Sequence, residues 1–579
     1  MKMKIERVDD IPLLISEMEK SKLSELLNTY FPDHGNWQGL DGGKVTVVFL
    51  TYILSCSDHK LSHVEPWALE RLETLRYCTG NTDLTSKDFT DDKLGSLLDR
   101  YAVDKRWDKF ENAHNQQLIQ VYNLDTAGEP IRLDAMITQS HRAATGDFQH
   151  GHSKQHRSDL PQLKTMVATL DPLAMPLVSL TVSGNTADDI LYLPVIQQCE
   201  ALELEHQLFV GDSKMSNFST RSYLQNKGHY YLTPLSKKQC SKEQITEYLS
   251  KIPGSDELIK IYTTSKGDDS KDCSKVLKAK AFETVETLQT TLPNGATIAW
   301  DERRIMVYSP TYAKSQQAGF EKRMNKAQDD LAILLEVKQG RKKLNTLAEV
   351  QQTVENILKK HKVKAFINVD IEEHIQTKTL RKYKDRPSKK VNFSTFSIKV
   401  SINKNKQQQH LQQLGWRAYA CNAPLSRLST EQAVICYRNE YRIEHKFDEL
   451  LHRITALLPV FLQKQHRVKA LIRLLLLALK FVSTIEHQVR TNLDTKQQTV
   501  KELYAGNPKR KTNKPTTNLI LRAFRNIHLN IVSVGGQIHV AVSDLTLTQL
   551  QIIDLLNFSP EIYLGMKQLS FSNFNFSET

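Results

Sequence analysis

The chain has 579 residues, 40% hydrophobic and 25% charged, a composition that excludes wholesale disorder and calls for more than one core. Lys and Arg number 78 against 65 Asp and Glu, a formal net charge of +13. That excess favours a polyanion partner, nucleic acid first, and a merely basic soluble protein is the even alternative. The 7 cysteines include no C-x-x-C pair, as expected of reduced, mostly buried thiols in a cytosolic protein.

The start "MKMKIERVDDIPLL" has no apolar h-region, so no signal peptide is expected. Residues 1–125 then read as helical, with apolar residues at three- and four-residue steps in "IPLLISEMEKSKLSELLNTYF". Such a domain suits DNA binding, dimerisation or simple packing. Residues 126–235 change character. "PIRLDAMI" is strand-like, and "LPQLKTMVATLDPLAMPLVSLTVSGN" reads as two strands joined at Asp171-Pro172. A helix, the strand "HQLFVGDS", a second helix and the strand "HYYLTPL" follow. This order predicts a mixed α/β sheet with helices on its faces. Residues 236–428 form a β-rich block with one helical pair, roughly 312–335 and 344–360, which reads as an inserted domain. Residues 429–500 return to helix and include "ALIRLLLLALKFVSTI" (470–485). Arg473 and Lys480 interrupt that segment, so it reads as a buried core helix and no membrane span is expected. The basic loop "AGNPKRKTNKPTTN" opens the C-terminal region, 501–579.

Two aspartates stand where a buried strand makes a carboxylate costly. Asp134 lies inside the first α/β strand and Asp212 at the end of "FVGD". Strand ends are where open α/β sheets present functional groups. The pair suits hard divalent cations, which take oxygen ligands, while a local cap is the structural alternative for each. A third carboxylate would come from "CYRNEYRIEHKF" (436–447), where Glu440 and Glu444 share one helical face. By pattern alone these are the charged edge of an amphipathic helix, with Arg438, Arg442 and Lys446 as partners. The histidines of H-x-H-x-x-x-H (His150, His152, His156) have no cysteine near them, and phosphate or structural contacts suit them better than zinc.

In order along the chain, these elements resemble the DDE transposases of bacterial insertion sequences, in the branch with a large β-rich insertion before the third acid. "LDAMIT" stands at the first aspartate strand, and "GHSKQHRSDLPQLK" is similar to G-x-S-K-x-x-R-x-D-L. "SGNTADD" is similar to the G-N-x-x-D turn, "FVGDSK" carries the second aspartate, and "YRNEYRIEHKF" resembles the signature Y-x-x-R-x-x-x-E. The resemblance implies an RNase H-like core with a helical N-terminal domain and an inserted, mainly β domain. It implies Asp134, Asp212 and Glu444 as catalytic metal ligands for Mg²⁺, with Mn²⁺ as a substitute. It further implies DNA contacts by Tyr437, Arg438, Arg442, Lys154, Arg157 and, through base stacking, Trp300, for which core packing is the alternative. The implied partners are double-stranded DNA (terminal inverted repeats and target) and a second copy in a synaptic homodimer, in the bacterial cytoplasm at the nucleoid. An RNase H-like nuclease or resolvase and a non-catalytic DNA-binding descendant are the alternative readings. One departure stands out: the signature arginine falls on Glu440, and the basic residue expected after the glutamate falls on Leu451.

Overall fold

The computed structural model describes residues 2–153, 157–251, 258–265, 274–292, 295–336, 343–380, 388–455, 457–535 and 537–569. Its strands are β1 (Lys2–Arg7), β2 (Ile131–Gln139), β3 (Gln162–Leu170), β4 (Met175–Ser183), β5 (Leu208–Gly211), β6 (Tyr230–Pro234) and β7 (Ile259–Ser265). These are followed by β8 (Ser274–Thr291), β9 (Thr297–Tyr308), β10 (Ile367–Leu380), β11 (Lys389–Ile402), β12 (Trp416–Cys421), β13 (His528–Val534) and β14 (Gln537–Val542). The class is mixed α/β. The chain divides into two compact units, one of Met1–Thr233, Leu292–Ile298 and Cys436–Thr579, the other of Pro234–Thr291 and Ala299–Ile435.

In the first unit the sheet runs β4-β3-β2-β5-β6. β2, β3 and β4 are antiparallel, while β5 runs parallel to both β2 and β6. This is the strand arrangement expected of an RNase H-like core. β3 is buried along its whole length, which fits a strand covered on both faces. The register sets Leu133 beside Gly211 across the parallel pair. One further step along both chains therefore brings Asp134 and Asp212 to neighbouring positions, separated by about one strand spacing, roughly 4.8 Å.

The longest helix, Gln465–Thr495, is apolar nearly all round through its middle and buried there, as a core helix must be. The N-terminal helices pack around it and pair its cations. Arg467 donates to both oxygens of Asp99 at 2.7 Å, and Arg473 donates to Asp104 at 2.5 Å. Lys480 is 1% exposed, and its ammonium donates to Asn115 Oδ1 at 2.8 Å and the Leu177 carbonyl at 3.1 Å, with Glu111 at 3.4 Å. A buried cation is tolerated only when surrounded in this way. The two ends of the chain meet in a small sheet, β1-β13-β14.

The second unit contains the strands β12-β9-β8-β7 and the separate two-stranded ribbon β10-β11. Its helical pair is Pro310–Ala332 and Leu347–Lys360. Phe320, Met324, Leu331, Val350 and Val354 of that pair form a core with Ile367 at the base of the ribbon.

The segments resembling G-x-S-K-x-x-R-x-D-L and G-N-x-x-D come together beside the β3–β4 hairpin. Gln162 Nε2 donates to the carbonyls of His152 at 3.2 Å and Gly184 at 3.1 Å. Lys164 Nζ donates to Asp188 at 2.5 Å. The glycines are required by close approach: a Cβ on Gly184 would stand 2.0 Å from the Gln162 carbonyl oxygen, and one on Gly151 2.2 Å from that of Gly184. Gly184→Ala is therefore expected to lower stability by about 1–3 kcal/mol, the usual cost of overpacking. A denaturant titration against the parent chain checks this, and an unchanged midpoint would refute the close packing.

Candidate active site

The site is built on the edge between β2 and β5. Asp134 is half-buried in mid-strand, its carboxylate accepting from the Ala135 N–H at 2.7 Å. Asp212 follows the last residue of β5 and is also half-buried. Its Oδ1 accepts from the Tyr192 hydroxyl at 2.7 Å and from the Lys214 N–H at 2.8 Å. Thr233 Oγ1 donates to the Asp212 carbonyl at 2.7 Å. Tyr192 begins the helix Tyr192–Glu200, and Gly211 makes room for its ring. A Cβ there would lie 3.0 Å from Tyr192 Cε1.

The third side of the site comes from the end of the helix Thr430–Arg438, from Cys436 on, and from the helix Tyr441–His452. Ile443, Leu450 and Leu451 are the buried apolar stripe of the second helix, which seats it on the core. Between the helices stands Glu440. A small cleft is lined by Arg132, Leu133, Asp134, Val210, Gly211, Tyr437, Glu440 and Ile443. Glu440 thus faces the same space as Asp134, whereas Glu444 is exposed, one turn further along and outside that lining. The sequence left Glu440 as a departure from a motif; the fold places it against the first aspartate.

Electrostatics ties the acids together. Burial pushes the Glu440 carboxyl above the usual carboxylate range, and the charges of Asp134, Glu444 and Asp212 push it the same way. A hydrogen bond from Tyr437 opposes the shift. Tyr192 is driven well above its ordinary value, first by burial, then by the charge and hydrogen bond of Asp212, with Asp134 adding to it. Three carboxylates, Asp134, Glu444 and Asp212, therefore act on Glu440 here.

The remaining predicted residues are distributed unevenly. Tyr437 is 9% exposed and lines the cleft. Arg438 and Arg442 are half-buried, and Arg442 Nη1 stands 3.8 Å from Asp171 Oδ2. Arg157 is exposed and already engaged by Asp159 through Nε at 2.9 Å and Nη2 at 2.8 Å. Lys154 lies outside the described residues. Trp300 belongs to β9 in the second unit and is only 6% exposed, so its ring is packed inside and not offered to a base. Arg303 beside it bonds Glu283 at 2.6 Å and the Leu428 carbonyl at 2.6 Å, and Arg304 bonds Glu286 at 2.9 Å. Sequence reasoning missed Tyr192, Arg132 and Asp171. The available signal was a charged residue two before Asp134 in an otherwise apolar strand.

The donor set is chemically suited to Mg²⁺ or Mn²⁺: all oxygen, mutually repelling, and relieved by a divalent cation. Among the described residues, however, no three His, Cys, Asp or Glu side chains stand close enough together to hold an ion as they are placed. No described helix is long and apolar enough to cross a membrane.

A family model described as a transposase DDE domain matches residues 133–481. No curated protein matches the chain. Among solved structures, a piggyBac transposase synaptic complex with hairpin DNA is similar at 12% identity, over 60% of this chain and 70% of that one, with a TM-score of 0.24. At that score the likeness bears on neither the fold nor the site of this chain.

With its carboxyl held above the ordinary 4.5, folded Glu440 keeps its proton to higher pH than the unfolded chain does. Its ionisation therefore costs stability above that value and has no effect well below it. In EDTA, Glu440→Gln is expected to raise the thermal midpoint at about pH 7.5 and to leave it unchanged at about pH 3.5. Melting curves at the two pH values check this, and a lowered midpoint at neutral pH would refute the crowding of carboxylates.

Proposed function

The chain belongs to the transposase DDE domain family, and on that premise we propose that it binds the terminal inverted repeats of a mobile element, cleaves there and joins the ends to target DNA. The observation that carries this reading is the meeting of Asp134 and Asp212 on neighbouring strands, with Glu440 across the cleft from Asp134 and Glu444 one turn beyond it. Asp134, Asp212 and Glu444 would hold the divalent cations, Mg²⁺ or Mn²⁺. Such ions, when bound, activate a water or a 3′-hydroxyl and stabilise the leaving oxygen of a phosphodiester.

The protein's own groups do the positioning. Tyr192 and the Lys214 N–H fix one oxygen of Asp212. The Ala135 N–H holds one oxygen of Asp134. Arg438 and Arg442 would meet backbone phosphates, as would Lys154. Arg157 would do so only by exchanging Asp159 for a phosphate, a substitution of one anion for another that costs little charge pairing. Two copies would hold both ends in a synaptic homodimer at the nucleoid of a bacterial cell.

The test is cleavage of a duplex carrying the inverted repeat found beside the gene, with Mg²⁺ and the full chain. Parent protein is expected to cut at the repeat end, and Asp212→Asn to lose about a thousandfold or more, roughly 4 kcal/mol of barrier. Cleavage that survives Asp212→Asn would overturn the site. Cutting without joining would favour a nuclease or resolvase. Comparing Glu444→Gln with Glu440→Gln identifies the third ligand. The expectation is that Glu444→Gln matches Asp212→Asn while Glu440→Gln retains measurable cutting, and the reverse order would transfer the role to Glu440.

A further inference from the structure

Arg132 and Asp134 are two apart on β2, so both project from one face of the sheet. Arg132 is 3% exposed, a position in which an unpaired guanidinium would be very costly. Its Nε donates to Asp171 Oδ2 at 2.7 Å, and its Nη2 donates to the backbone carbonyl of Cys436 at 2.5 Å. Asp171 is itself fixed, since its N–H extends the β3 pairing to the Pro130 carbonyl at 3.0 Å. From the second helix, Arg442 Nη1 approaches the same Asp171 oxygen at 3.8 Å.

One buried ion pair therefore ties together the strand of the first aspartate, the β3–β4 turn and the chain just before Tyr437, Glu440 and Glu444. Where the family signature has an arginine, this chain has Glu440. The cation in that wall of the cleft is Arg132, and it is turned to protein groups. We infer that Arg132 and Asp171 are positioning residues, which set the reach of the glutamate-bearing helices to Asp134 by holding the Cys436 carbonyl against β2. This rests on the functional reading above.

The direct test is binding of Mn²⁺ to the full chain, followed by electron paramagnetic resonance of the free ion, alongside gel-shift binding of the repeat duplex. Arg132→Lys keeps a cation for Asp171 and loses the planar second donor to Cys436. It is expected to weaken Mn²⁺ about 10- to 100-fold, as loss of a ligand-orienting partner does, with duplex binding unchanged. A merely structural role would lower both in step with the folded fraction, and that result, or Mn²⁺ affinity equal to the parent's, overturns the proposal. Asp134→Asn separates the two levels: if the parent binds Mn²⁺ no better than Asp134→Asn, the metal reading fails and the proposal with it. If Arg132→Lys does not fold, Asp171→Asn, which keeps an acceptor for Arg132 Nε, decides by the same criteria.

Discussion

Carboxylates repel, and this fold brings Asp134, Asp212 and Glu444 within electrostatic reach of Glu440. Asp134 and Asp212 are neighbours because β2 and β5 are parallel and in register at Leu133 and Gly211. Glu440 is brought to face Asp134 at the start of a helix whose apolar stripe, Ile443, Leu450 and Leu451, is buried, and Glu444 follows one turn on. In each case packing and hydrogen-bond ladders fix the backbone, and the acidic groups must accept the place they are given. The strain shows in Glu440, whose carboxyl is pushed up by burial and by the other three acids. Like charge gathered in this way would be relieved by a cation, and pKa perturbation of this origin is typical of functional clefts.

The rest of the first unit braces that arrangement. The 465–495 helix is gripped by the N-terminal helices through Arg467–Asp99, Arg473–Asp104 and the buried Lys480. Of those pairs, Lys480–Glu111 is buried on both sides, where losing one partner strands the other. The N-terminal helical segment, whose role the sequence left open, is thus in part a scaffold for the core. The inserted block has its own interior, and its arginines 303 and 304 are engaged within it.

Much of this was legible in the sequence. The strand and helix order from "PIRLDAMI" to "HYYLTPL" appears as β2 to β6, because apolar runs bounded by Gly, Pro and Asp leave few other readings. The helical pair inside the insertion was visible from its periodicity, as was the burial of 470–485. The site was legible only in part. Asp134 and Asp212 could be singled out because a charge in a buried strand needs a cause. Glu440 against Glu444 could not be decided, since helical spacing puts both on one face and only the docking angle separates them. Trp300 looked like a candidate for base stacking, but alternation along β9 turns its ring inward. Arg132 and Asp171 were hidden because their pairing depends on strand register, which a single sequence does not print.

The central claim is that a divalent cation belongs between Asp134 and Asp212, with a glutamate of the 440–444 turn completing its ligands. Anomalous scattering from Mn²⁺ in crystals of the full chain bound to its repeat duplex tests this most directly. The account predicts a manganese peak in contact with both aspartates and with a glutamate carboxylate from that turn. A peak touching neither aspartate, or no peak beside Asp134 in crystals that hold the duplex, would contradict it.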